Sequence, residues 1–143
     1  MAIKPWKGQF KMVQKVKKAS TAFNQYGLVY PDGSGAVQPA DATSGSHVGV
    51  AAKAVASGDS DYATAGALIS VIVPRDDDCE WLADVGTGTM TTALVDTYCD
   101  LKDDNELDVG ATSKNVVYLS GYKSATQAYI MLTSRLNRFI ATT

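Results

Sequence analysis

No window of ten or more residues in this chain of 143 carries a clear 3.6-residue apolar period. Turn signals recur instead. Clusters of Gly, Pro, Asp, Asn and Ser interrupt the chain at intervals of about 8–12 residues, and the runs between them are short and β-prone. That spacing predicts an all-β barrel or sandwich and excludes a helical bundle. Composition points the same way. Ala, Val, Thr, Gly and Ser make up 69 of the 143 residues, whereas Leu, Ile, Phe, Met and Trp make up only 23. Small and β-branched side chains suit thin sheets and tight turns.

The period-two runs predict strands over 10–16, 28–30, 47–55, 68–73, 80–85, 107–111, 116–122 and 127–132. In 10–16, Phe10, Met12, Gln14 and Val16 fall on one side, and Lys11, Val13 and Lys15 on the other. The Thr-rich segment 91–99 reads as a further strand, and 133–143 as a short tail strand. Segment 19–27 reads as a turn or one helical turn; segments 38–46, 57–66 and 100–106 read as loops. Gly86, Thr87, Gly88 and Thr89 predict a hairpin turn. Gly49, inside a strand pattern, predicts a close backbone approach. Trp81 is expected in the core.

Charge is distributed unevenly. Residues 1–18 hold six lysines and no acid, whereas residues 76–108 hold eleven of the fifteen acids. Pro5 and Gly8 predict an extended arm over 1–9 rather than a regular element. An arm with Ile3, Trp6 and Phe10 among lysines is a poor solvated tail, because large aromatic side chains seek a pocket. The expected mode is an extended segment docked on a partner, its lysines on acidic residues. The body is acidic and no Arg interleaves with the lysines, so nucleic acid is not the expected partner.

Catalytic chemistry finds little to work with. His47 is the only histidine, and a Ser-His-Asp set would need it together with Ser44, Ser46 or Asp41. No nucleophile elbow, phosphate-binding glycine loop or EF-hand spacing occurs. One His and two Cys twenty positions apart do not make a zinc set. The expectation is no enzyme, no catalytic residue, no metal and no cofactor. Cys79 and Cys99 are expected as free thiols. No apolar stretch of about 18 residues and no secretory leader is visible, so no membrane partner is expected and synthesis in the host cytoplasm is.

Residues 22–55, AFNQYGLVYPDGSGAVQPADATSGSHVGVAAKAV, carry a resemblance. The order Gly27-Leu28-Val29, a glycine turn at Gly33–Gly35, Val37-Gln38-Pro39-Ala40, Thr43-Ser44 and Gly49-Val50-Ala51 resembles the N-terminal half of bacteriophage head decoration, or cement, proteins. ISVIVP at 69–74 resembles the strand that follows. The likeness covers about the first 75 residues.

The resemblance implies a small β-barrel or β-tulip-like domain, a second β-rich half and a homo-oligomer, with a trimer favoured over a dimer. It implies a structural virion protein on the outer surface of an icosahedral head, stabilising contacts between major capsid protein subunits. Ile3, Lys4, Trp6, Lys7, Phe10 and Lys11 would then form the capsid-binding arm. The organisation expected is a basic arm and first strand over 1–18, a decoration-protein-like β domain over 19–75, and an acidic β-rich half over 76–143 packed on it. The alternative is another virion β-module: a tail-tube, head–tail or fibre-attachment protein.

Overall fold

The computed structural model describes residues 1–42, 47–76, 78–112, 114 and 116–132. The chain is all-β, and among the described residues eleven strands form two sheets. The first sheet holds β1 (Ile3–Lys7), β7 (Glu80–Thr87), β8 (Tyr98–Asp103), β9 (Glu106–Asp108), β10 (Val117–Ser124) and β11 (Gln127–Leu132). Within it, β7, β11, β10, β8 and β9 close into a five-stranded barrel. The closing contact is parallel, Val85 opposite Leu107 on β7 and β9, while the other pairings are antiparallel. β1 adds a sixth strand on the edge of β7.

The second sheet is β2 (Phe10–Val16), β6 (Leu68–Pro74), β5 (Gly49–Ala51), β3 (Leu28–Pro31) and β4 (Val37–Pro39), in that spatial order. Its two edges meet at a single bridge, Lys17 beside Val37. The fully closed barrel therefore lies in the later half of the chain, and the 10–74 sheet closes at one point only.

β3 and β5 explain the small residues. Leu28 and Val50 point into the barrel core, which also takes Ile3, Trp81, Leu101, Leu107, Leu119 and Ile130. Their neighbours Val29 and Ala51 point the other way, into a second cluster with Phe23, Val37, Ile69 and Val71. A strand buried on both faces carries no polar alternation. Gly49 makes the close approach expected of it: a Cβ there would collide with the Ile72 carbonyl oxygen across the β5–β6 pair.

Trp81 is fully buried, and Phe10 packs edge-on against it with ring centroids 4.8 Å apart. Among the described residues the Trp81 Nε1 has no hydrogen-bond partner, a penalty of about 1–3 kcal/mol that the burial of the indole ring offsets.

Several local expectations are corrected. Residues 1–9 are not a free arm. Ile3–Lys7 pairs antiparallel with β7, from Ile3 opposite Ala83 to Lys7 opposite Glu80. Pro5 is tolerated because the ladder bonds to β7 fall on Ala2 and Lys4, so the missing N–H faces the open side. Residues 86–89 are not a hairpin turn. β7 runs on to Thr87, and after Gly88 (φ +85°) the chain leaves the sheet through a short 3₁₀ helix at Thr92–Leu94, not an antiparallel partner. The strand expected over 91–99 starts only at Tyr98. The 38–46 loop gives up its first residues to β4, and the 47–55 strand shrinks to Gly49–Ala51. The tail strand over 133–143 lies outside the described residues.

Candidate functional site

β1 and β2 are consecutive, and each lies at the end of its sheet. Residues 3–16 pair with 68–83 in one antiparallel ribbon, from Ile3 opposite Ala83 to Val16 opposite Leu68. The ribbon crosses both sheets. Gly8 marks the crossing, at φ +110° and against Cys79, where a Cβ would lie 2.9 Å from Sγ. The Gln9 carbonyl accepts from the Arg75 N–H at 2.8 Å and from the Cys79 thiol at 3.0 Å, tying the two connections together.

The six residues expected to bind a partner sit on this ribbon but differ in role. Ile3 is fully buried in the barrel core and donates its N–H to the Tyr26 carbonyl, so it belongs to no outer surface. Phe10 is half-buried against Trp81. Lys4 lies over the Tyr26 ring, 5.4 Å from its centroid. Trp6 is 53% exposed and leans on Tyr129 at 5.2 Å between centroids. Lys7 and Lys11 are exposed. Among the described residues Lys4, Lys7, Lys11 and Lys15 form no ion pair.

Sequence reasoning missed the other half of this surface. Met12 is 61% exposed and Leu68 is 55% exposed, with Val16 beside it in register. The face of β2 holding Val13 and Lys17 is the one turned to the second core. Alternation showed two faces without showing which one is covered.

Lys17 is almost wholly buried. Its ammonium donates to the carbonyls of Asp61 (2.7 Å) and Tyr62 (3.2 Å), while its backbone N–H bonds Ala67. It holds the 57–66 loop on the sheet. A cleft of about 490 Å³ opens beside it, lined by Lys18, Asp32, Gly35 and Gly66 among others. Asp32 spends its carboxylate on its own turn, accepting from the Ser34 and Ala36 N–H groups; the Ser34 bonds hold its pKa below the ordinary value.

The acidic residues of the barrel are likewise engaged locally. Asp103 and Asp108 accept turn amides from Asn105 and Gly110, Asp84 accepts from Ala2 and Gln127, and Asp96 accepts the Tyr118 hydroxyl. Among the described residues no three His, Cys, Asp or Glu side chains converge as metal ligands. Asp104 is buried and takes both bonds of the Asn24 amide, across the two sheets; burial pushes its carboxyl pKa up.

His47 is buried. Asp41 is exposed, and Ser44 and Ser46 lie outside the described residues. Both cysteines are buried free thiols. Burial, with Asp100 and Asp108 nearby, pushes Cys99 up to about 12, so it is un-ionised at neutral pH.

No protein-family model matches the chain, and comparison with curated proteins gave no match. No helix among the described residues is long and apolar enough to cross a membrane.

Proposed function

We propose that this chain is a structural virion protein that seats on the outside of an icosahedral phage head and stabilises contacts between major capsid protein subunits. The observation that carries the reading is the ribbon of residues 3–16. It presents four lysines without acidic partners, an exposed tryptophan and an exposed methionine on the outer edge of two sheets. The resemblance of residues 22–55 to head decoration proteins supplies the identity of the partner.

Such a role needs affinity and no chemistry. Binding that exists only in the assembled shell stabilises the shell by mass action, and many copies on a symmetric lattice sum to a large effect. Self-association, as a trimer in the first instance, belongs to the same proposal. The working residues are Lys4, Trp6, Lys7 and Lys11. Ile3 and Phe10 contribute by fixing the ribbon to the barrel.

Co-sedimentation with expanded empty heads of the phage encoding the chain tests the reading. Saturable binding at a fixed copy number per capsomer is the expected result. A chain that stays in the supernatant at every concentration overturns it and points to the tail or fibre-attachment alternative. Deleting residues 2–10 is not a clean test, because it removes the strand on the edge of β7 and the Phe10–Trp81 contact along with the basic surface.

A further inference from the structure

Ahead of the bridge to Val37, the outer edge of β2 is unpaired among the described residues, and its geometry can be read residue by residue. Arg75 donates to Gln9 and Lys17 donates to Ala67, and the register between them has no shift. Odd-numbered residues of β2 therefore bond to β6. The N–H and C=O groups of Phe10, Met12 and Gln14 point away from β6 to the open side, and from Val16 to Lys18 the edge is taken by Val37 of β4. β6 agrees, since Ala52 bonds Ser70 and even-numbered residues there face β5.

A strand laid along this edge would alternate its side chains between two different surfaces. On one face it would meet Met12 and Val16, both exposed and apolar. On the other it would meet Lys11 and Lys15, exposed and without ion pairs. A second copy of β2 fits badly: antiparallel pairing centred on Val13 sets Lys11 against the other copy's Lys15, and like charges directly opposite are destabilising.

We propose that the β2 edge accepts an extended protein segment alternating apolar and acidic residues, added as a sixth strand to the second sheet. This deepens the head-binding reading and rests on it only for where the segment comes from. The lysines then act twice, discouraging self-pairing of an open edge and selecting an acidic partner.

The test uses the full chain and two dye-labelled octapeptides, one alternating valine with aspartate and one alternating valine with lysine, followed by fluorescence anisotropy. The aspartate peptide should bind saturably, more weakly as salt rises, and the lysine peptide at least tenfold more weakly. Met12→Pro removes one outward N–H and none of the bonds to β6; it should keep the parent's circular dichroism and lose at least tenfold in binding. The double reversal Lys11→Glu with Lys15→Glu changes only exposed side chains and should invert the preference between peptides.

Equal binding of both peptides, binding of neither, or undiminished binding by both variants overturns the proposal. So does a dimer of the parent that Met12→Pro converts to monomer, which would make a second copy the occupant. Co-sedimentation separates the two readings. A parent that binds the aspartate peptide but no heads keeps the strand-accepting edge and removes the head. A Met12→Pro chain that binds heads as well as the parent keeps the head and removes strand addition.

Discussion

The barrel and the second sheet reach stability by different routes. The barrel closes through a continuous set of strand pairings and fills with large side chains: Trp81, Leu101, Leu107, Leu119 and Ile130. The second sheet closes at one bridge, and its own cluster buries one ring, Phe23, among valines, alanine and isoleucine, with Tyr62 packed at its margin. It relies instead on the barrel beneath β3 and β5 and on the Lys17 ammonium that pins its longest described loop. Closure by strands tolerates acidic loops at the barrel ends. Closure by a clamp places a buried cation where the sheet has no more apolar surface to offer.

Trp81→Ala should have the largest effect on this contrast. It empties the centre of the barrel and removes the ring that Phe10 packs on, so a loss of about 3–5 kcal/mol is expected. Chemical denaturation followed by probes in each half should show one coincident transition. Separate transitions, with the second sheet unmoved, would mean that the halves are energetically independent despite their shared core.

Lys17→Met sharpens the other side. It strips the Asp61 and Tyr62 carbonyls of their donor, a loss of about 1–3 kcal/mol. Hydrogen exchange should quicken in the 57–66 loop and leave the barrel strands unchanged. A gain in stability would show that desolvating the ammonium outweighs its two hydrogen bonds.

Asp104→Asn probes the seam between the halves, with the smallest effect. Burial, opposed by the Asn24 hydrogen bonds, raises the folded-state pKa of Asp104 above its unfolded value. Its contribution to stability is therefore full below the ordinary carboxylate pKa of about 4 and lost as pH rises through the raised value. The amide does not titrate. Parent and variant should melt together at acid pH, with the variant the more stable at neutrality. A gap that widens toward acid would contradict the sign.

The all-β class, Trp81 in the core and the strands at 10–16 and 127–132 were legible because they depend on local period and turn chemistry. Only the first part of the ribbon, within residues 1–9, reads as an arm, because lysines and a proline resemble a solvated tail. Pro5 is compatible with an edge strand whose odd-numbered groups face outward, and nothing local to residues 1–9 reveals that β7 lies beside it. β4 was missed because three residues carry no period. The turn at 86–89 was inferred from glycines that do adopt an unusual backbone, but local chemistry does not name the strand that follows. On the candidate site the lysines were legible as charge. The exposure of Met12 and Leu68 was not, because it follows from β2 being an edge strand with its other face buried.

Electron cryo-microscopy of expanded heads saturated with the chain tests the central claim most directly. The expected reconstruction has the protein on the outer surface, with residues 3–16 against the major capsid protein and the acidic barrel loops toward solvent. Density that seats those barrel loops on the shell and leaves Lys4, Trp6, Lys7 and Lys11 in solvent would contradict it.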